Sequence, residues 1–238
     1  MTDLSGKAAL VTGSTNGIGL AIAAALVGRG VHVVVSSRTE ARVREVVERL
    51  ARRGPGRAVG IACDVRDPEQ CARAVTGAVD SFGRLDVLVN NAGVGHLRPV
   101  QELTLAEWRD QIETNLGGVF HCARAAIPHL SASGDGWIVN IASLAGRNAF
   151  AGGAGYNATK FGLVGMSEAM MLDLRYQGIR VSVVMPGSVQ TEFSGRHSSD
   201  KEWALQPEDV ATAVVQLLEL PLHALVSRIE MRPTRPKQ

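Results

Sequence analysis

Residues 155–163 read GYNATKFGL, and within this stretch Tyr156 precedes Lys160 by four positions. In an α-helix, residues i and i+4 share one face, so the two side chains are predicted to lie together. A free tyrosine has a pKa near 10, and only about 0.1% of it is ionised at neutral pH. An ammonium group about 4 Å away, at an effective dielectric constant of about 20, stabilises a phenolate by on the order of 4 kcal/mol. That is roughly what lowers a tyrosine pKa to about 7, so the pair is suited to general acid–base chemistry.

This pair must be positioned by the surrounding elements, and the chain alternates short apolar runs with longer helical stretches. The runs are almost continuously apolar, which is typical of a parallel sheet covered by helices on both faces. Repeated βαβ units predict an α/β fold, a Rossmann-type, doubly wound, mostly parallel seven-stranded sheet with helices on both faces, in a single domain over residues 1–238. Strands are predicted at 7–13, 31–37, 57–65, 85–93, 136–143, 179–187 and 224–232, and helices at 18–30, 40–54, 68–83, 104–131, 154–177 and 207–219.

A glycine-rich turn, VTGSTNGIGLAI, closes the first predicted strand and opens the first helix. Glycine permits a tight turn, close approach of the backbone to a pyrophosphate, and close packing of the helix on the sheet. The helix N-terminus adds free N–H donors and the positive end of a dipole. The turn therefore predicts a dinucleotide site, with candidate contacts from Gly13, Ser14, Thr15, Asn16, Gly17, Ile18 and Gly19.

The order of several motifs makes the chain similar to a known family. TGSTNGIG (12–19), NNAG (90–93), Ser143, YNATK (156–160) and PG (186–187) follow one another as they do in short-chain dehydrogenase/reductases. The resemblance extends from Lys7 to about Pro233. It implies a nicotinamide-dependent oxidoreductase with a Rossmann-type fold.

The resemblance also implies roles for four catalytic residues. Tyr156 is expected to act as general acid and base, and Ser143, at the end of a strand, to orient the substrate oxygen. Lys160 is expected to bind the nicotinamide ribose and to tune the tyrosine, while Asn115 holds a water that links Lys160 to solvent. In reduction, Tyr156 gives a proton to the carbonyl oxygen as hydride reaches the carbon.

Further cofactor contacts follow from the resemblance at the carboxyl ends of other strands. Asp64 is expected to accept a hydrogen bond from the adenine amino group, and Val65 to pack beside the ring. The ribose contacts are Asn91, Ala92 and Gly93, and the nicotinamide contacts are Pro186, Gly187, Val189 and Thr191.

The end of the second strand, VVVSSRTE, indicates which cofactor is preferred. A carboxylate there would bind the ribose 2′-hydroxyl of NAD, but Ser37 stands at that position and Arg38 follows. A guanidinium suits a phosphate, so NADP(H) is predicted in preference to NAD(H), although Arg38 as a solvated helix-start residue is an alternative. The second basic residue frequent in NADP-dependent members is absent, because Asn16 stands in its place.

Composition excludes several other classes of protein. The formal net charge of +2 over 238 residues gives no reason to expect a nucleic-acid partner. Three cysteines, an odd number without metal-ligand spacing, favour a reducing compartment and no metal site. No apolar run approaches the length of a membrane span, so a soluble, cytoplasmic protein is expected.

The substrate is expected to be a small carbonyl or alcohol compound, held under a short lid over about 192–206. The candidate pocket residues are Leu144, Ala145, Phe150 and Phe193. Three functions fit the pattern: a carbonyl reductase or alcohol dehydrogenase, a 3-oxoacyl-thioester reductase acting on acyl carrier protein or coenzyme A thioesters, and a non-catalytic NADP-sensing scaffold. A homotetramer is the family expectation and a homodimer the alternative, because the usual Gly-rich carboxy-terminal segment is missing.

Overall fold

Seven parallel strands form one sheet in the order β3-β2-β1-β4-β5-β6-β7. The structure is a computed structural model that describes residues 2–191 and 203–236. The predicted doubly wound, seven-stranded sheet is confirmed. The strands are β1 (Ala8–Thr12), β2 (His32–Ser37), β3 (Ala58–Ala62), β4 (Val87–Asn90), β5 (Gly136–Ile141), β6 (Ile179–Pro186) and β7 (Arg228–Met231).

Helices cover both faces of the sheet, as the apolar strands require. They are α1 (Gly17–Gly28), α2 (Glu40–Leu50), α3 (Pro68–Phe82), α4 (Leu105–Ile112), α5 (Gly118–Ala132), α6 (Ala154–Leu174) and α7 (Pro207–Leu218). One core joins α1, α2 and α7 to the sheet, and a second joins α3, α5 and α6 to its opposite face. Strands β5 and β6 are buried along their whole length, because both of their faces are covered.

Local sequence signals fix the ends of several helices. The Asp67 carboxylate caps α3 by accepting from the backbone N–H groups of Glu69 and Gln70, and Gly83 ends this helix in a left-handed conformation. Thr104 and Glu107 form a reciprocal capping box at the start of α4.

Among the helices that the structure describes, none is long and apolar enough to cross a membrane.

The prediction of one long helix over 104–131 is wrong in one respect. A π-helical turn at Glu113–Gly117 separates α4 from α5. The wider turn changes the backbone hydrogen-bonding register, which periodicity of apolar residues does not reveal. Asn115 lies inside this turn, and such turns are frequently found at functional sites.

A buried polar chain fixes α6 against the centre of the sheet. Asn90 on β4 donates to the side-chain oxygen of Asn140 on β5 at 2.9 Å, and Asn140 donates to the Ser167 hydroxyl at 2.9 Å. Ser167 in turn donates to the carbonyl oxygen of Leu163. Because all these groups are buried and satisfied, the register of α6 on the sheet is well defined. That register determines where Tyr156 and Lys160 lie.

Candidate active site

A large crevice runs along the carboxyl ends of the strands, on both sides of the point between β1 and β4 where strand order reverses. Its volume is about 1740 Å³. Most of the predicted cofactor and catalytic residues line it, including those after β1, β2, β4, β5 and β6. The sequence prediction and this crevice thus lie at the same edge of the sheet.

The glycine-rich turn forms a tight cradle against the strand beside it. Gly13 has a φ of +63°, and a Cβ there would lie 2.8 Å from the Cα of Ala92. A Cβ on Gly19 would lie 2.4 Å from the side-chain nitrogen of Asn91, which donates to the carbonyl oxygens of Thr12 and Gly13 at 3.0 Å each. No side chain of the described residues caps the start of α1, so its backbone N–H groups face the crevice. This arrangement fits the pyrophosphate of a dinucleotide.

Thr12 is a supporting residue that sequence reasoning missed. Its hydroxyl oxygen accepts hydrogen bonds from the backbone N–H groups of Asn91 at 3.0 Å and Ala92 at 3.1 Å. These contacts join the end of β1 to the end of β4. A threonine next to the glycine turn was the only signal in the sequence, and it does not reveal the partner strand.

Ser14, a candidate cofactor contact in the sequence, has its side chain turned away from the crevice. Ser14 is fully buried, and its hydroxyl donates to the carbonyl oxygen of Val11 at 2.7 Å and accepts from the N–H of Ser36 at 2.9 Å. Its own N–H donates to the carbonyl oxygen of Ser36. Ser14 therefore joins β1 to β2, and its neighbours Thr15 and Asn16 line the crevice instead.

Tyr156, Ser143 and Lys160 lie together, as their positions in the sequence predicted. Ser143 and Tyr156 share a side-chain hydrogen bond, and the Lys160 Nζ lies 5.6 Å from the centre of the Tyr156 ring. Lys160 is 6% exposed and donates to the carbonyl oxygen of Ile141 at 3.0 Å. All three side chains face the crevice, at the end away from the second strand.

Burial dominates the electrostatics of this group. It raises the pKa of Tyr156 to about 12, against an opposing effect of the Ser143 hydrogen bond. It also lowers the pKa of Lys160 to about 8. The Lys160 ammonium is directed to the Ile141 carbonyl, and tuning of the tyrosine by Lys160 stays a prediction.

Asn115 acts as a clamp between three elements. Its side-chain oxygen accepts from the N–H of Val94 at 2.8 Å, and its amide nitrogen donates to the Val94 carbonyl at 2.9 Å and to the Thr159 hydroxyl at 3.0 Å. These bonds connect the π-helical turn to the strand β4 end and to α6. The water that is expected to link Lys160 to solvent through Asn115 stays a prediction. A water bound by the Asn115 side-chain atoms would have to replace their hydrogen bonds to Val94.

Asn157, inside the YNATK motif, is a second residue whose role sequence reasoning missed. Its amide donates to the carbonyl oxygens of Ala145 at 2.7 Å and Asn148 at 3.1 Å. The glycines of this loop serve close packing: a Cβ on Gly146 would lie 2.7 Å from the Lys160 carbonyl oxygen, and one on Gly155 would lie 2.4 Å from Gln111.

The far end of the crevice is lined by Ser37, Arg38, Asp64 and Val65. Asp64 lies beyond the end of β3, and Arg66 contacts both of its carboxylate oxygens at 2.5–3.1 Å. This hydrogen bonding holds the pKa of Asp64 below its usual value. Asp64 is therefore ionised at neutral pH, so it can accept a hydrogen bond there.

An ion-pair chain links this end to the loop after β4. Arg66 also contacts the carboxylate of Asp110 on α4 at 3.1 Å, and Asp110 contacts the Nε2 of His96 at 2.8 Å. His96 lines the crevice. Neither Asp110 nor Arg66 carried a signal in the sequence, because their partners are distant along the chain.

The candidate substrate-pocket residues lie outside the crevice or outside the described part of the chain. Ala145 is buried and Leu144 packs on Gly187, while Phe150 is exposed beside Gly153. These three do not line the crevice as formed by the described residues. Phe193 and most of the predicted lid lie outside the described residues. The last part of the lid is described: Leu205 forms a parallel bridge with Val189.

Comparison with known proteins identifies relatives over almost the whole chain. The model of the family described as short chain dehydrogenase matches residues 7–202. The "Monensin polyketide synthase putative ketoacyl reductase" of Streptomyces virginiae is 41% identical over 198 residues, covering 82% of this chain and 76% of that protein.

Two solved structures are similar in sequence and in fold. A metagenomic short-chain oxidoreductase in complex with NADP is 38% identical, with a TM-score of 0.86 and coverage of 99% of this chain and 100% of that one. The 3-ketoacyl-(acyl-carrier-protein) reductase of Brucella melitensis, complexed with NADH, is 29% identical, with a TM-score of 0.87 and coverage of 98% and 99%. Both nicotinamide cofactors thus occur among the structural relatives.

Proposed function

The chain belongs to the short-chain dehydrogenase family of oxidoreductases, and we propose that it is an NADP(H)-dependent enzyme that interconverts a ketone or aldehyde and the corresponding alcohol. The observation that carries this proposal is the hydrogen-bonded Ser143–Tyr156 pair with Lys160 beside it. This group lines the same crevice as the glycine cradle. An acid–base group and a dinucleotide cradle in one crevice suit hydride transfer between cofactor and substrate.

Each catalytic residue has a role that its surroundings support. The nicotinamide cofactor, when bound, supplies or accepts the hydride. Tyr156 gives its proton to the carbonyl oxygen in reduction and removes it from the alcohol in oxidation. Ser143, already hydrogen-bonded to Tyr156, orients the same oxygen. Lys160 holds the ribose hydroxyls and stabilises the phenolate, and Asn115 keeps the surrounding loop and helix in place.

The cofactor residues of this proposal follow the crevice from end to end. The glycine cradle holds the pyrophosphate, Asp64 and Val65 hold the adenine, and the 186–191 segment holds the nicotinamide. Arg38 selects NADP(H) by binding the 2′-phosphate, and a guanidinium suits that group better than any neutral side chain. The NADP complex of the metagenomic relative supports this preference, while the NADH complex of the Brucella protein shows why it needs a direct test.

A 3-oxoacyl-thioester reductase is a second candidate function. It is favoured by the names of two relatives, the Streptomyces virginiae ketoacyl reductase and the Brucella melitensis 3-ketoacyl reductase. A scaffold without turnover is disfavoured, because this chain retains the serine, tyrosine and lysine, and all three line one crevice.

The proposal is tested by a substrate panel in which NADPH consumption is followed by absorbance. We expect turnover of at least one ketone, aldehyde or 3-oxoacyl thioester, at a higher kcat/KM with NADPH than with NADH. Activity restricted to thioesters of acyl carrier protein or coenzyme A would favour the second candidate. Binding of NADPH without turnover of any member of the panel would contradict both enzymatic candidates.

A further inference from the structure

We propose that Arg42 is a second guanidinium of the site that selects the cofactor's 2′-phosphate. This inference rests on the proposed NADP(H) function. The glycine turn has Asn16 where NADP-dependent relatives frequently carry a basic residue. Arg42, on the first turn of α2, supplies a second cation from a different element.

The position of Arg42 is the first support for this role. Arg38 and Arg42 both line the crevice, together with Ser37 and Thr39 between the end of β2 and the start of α2. Within residues 2–191 and 203–236, neither guanidinium forms a salt bridge or a side-chain hydrogen bond. Arg42 is exposed, so its five donors are available to a ligand in the crevice.

The local charge balance is the second support. Glu40, in the same helical turn, is paired with Arg44 at 3.1 Å, and Asp64 is paired with Arg66. These two carboxylates have their own cationic partners, and Glu45, which forms no salt bridge among the described residues, is one carboxylate against the two positive charges of Arg38 and Arg42. A phosphate monoester carries about −1.5 to −2 charges at neutral pH, so two guanidinium groups match it.

A buried hydroxyl adds a donor at the same place. The Ser37 Oγ is buried and has no hydrogen-bond partner among the described residues. Ser37 precedes Arg38 in the chain and lines the same crevice, so its unsatisfied hydroxyl is suited to a phosphate oxygen.

The proposed cationic site extends from the end of β2 to the first turn of α2. Glu45 also lines the crevice, about one turn farther along the helix, and it carries the opposite charge. Arg49 lines the crevice as well, but it is seven residues beyond Arg42, which is about 10 Å along the helix axis. Arg49 is therefore a matched control. It lies on the same helix, has the same side chain and also lines the crevice, but it is too far along the helix to contact a phosphate bound at Arg42.

The test compares Arg42→Ala, Arg38→Ala and Arg49→Ala by titration calorimetry with NADPH, NADH, adenosine 2′,5′-bisphosphate and 5′-AMP. For Arg42→Ala, we expect the Kd values of NADPH and the bisphosphate to rise at least about tenfold, because a hydrogen-bonded ion contact is lost. Those of NADH and 5′-AMP should be unchanged, and this also shows that the variant is folded. Arg49→Ala should leave all four values unchanged.

The outcomes separate this inference from the proposed cofactor preference. If Arg42→Ala binds NADPH as Arg49→Ala does while Arg38→Ala loses selectivity, the inference is overturned and the preference stands. If neither Arg38→Ala nor Arg42→Ala changes the NADPH-to-NADH ratio, both are overturned. Arg42→Lys, which keeps the charge but loses the planar fork, should fall between wild type and Arg42→Ala.

Discussion

At the scale of the residue, Tyr156 is arranged to hold a proton. Burial raises its pKa to about 12, so the phenol stays protonated throughout the neutral range. A protonated tyrosine is the form that donates to a carbonyl oxygen in reduction, whereas oxidation of an alcohol requires the phenolate. A shift of this pKa towards neutrality requires positive charge beside the phenolate, which Lys160 and a bound oxidised nicotinamide would both supply.

The sign of this pKa shift gives a prediction for the pH dependence of kcat/KM, which reports groups on the free enzyme. Reduction should be independent of pH up to about 7 and should fall above that, as Lys160, whose pKa is about 8, loses its proton. Oxidation should rise about tenfold per pH unit over the same range, since the phenolate fraction grows by that factor below the tyrosine pKa. Initial rates in both directions measure this, and an oxidation rate that does not change with pH would contradict it.

At the scale of the element, local sequence patterns predicted the turns and helices, whereas contacts between residues far apart in the chain could not be predicted. The spacing of Gly13, Gly17 and Gly19 predicted the turn and its place between strand and helix. The partners that hold this turn, Thr12 with Asn91 and Ala92, join residues almost eighty positions apart. The π-helical turn around Asn115 was missed for a related reason, because its apolar positions fit a continuous helix equally well.

The glycine turn can be tested with two glycines of the same helix. Gly19→Ala places a Cβ 2.4 Å from Asn91 and 2.5 Å from the Gly13 carbonyl, so the turn must shift. We expect a loss of about 1–3 kcal/mol in the free energy of unfolding and weaker NADPH binding. Gly28→Ala, whose Cβ meets nothing within 4 Å, should be neutral or stabilising by up to about 1 kcal/mol. Denaturant unfolding measures both, and equal effects of the two substitutions would argue against a cradle.

At the scale of the whole molecule, the sheet follows from the alternation of apolar strands and amphipathic helices. What the sequence does not reveal is which surface meets another subunit. Large apolar side chains remain exposed on the helices α4, α5 and α6: Leu105, Trp108, Phe120, Phe161 and Leu172. Exposed apolar surface of this kind is typical of an interaction face, and we expect subunit contacts on these helices.

The expected assembly is a homotetramer or a homodimer of the 25.2 kDa chain. Phe120→Glu combined with Leu172→Glu should lower the mass measured by light scattering, because two charges are buried in the contact. Leu222 is an exposed apolar residue after α7, so Leu222→Glu is the control and should leave the mass unchanged. A wild-type protein with the mass of one chain would contradict this expectation.

The central claim is that Tyr156 carries the proton transfer, and substitution of the hydroxyl tests it most directly. Tyr156→Phe should bind NADPH with the wild-type Kd, because the ring and its packing remain. Its kcat should fall by about 10²–10⁴-fold, the range typical of a lost general acid. Tyr176, the other tyrosine of the chain, is 92% exposed, so Tyr176→Phe is the control and should keep full activity. A Tyr156→Phe variant that binds NADPH normally and turns over substrate at the wild-type rate would contradict the account.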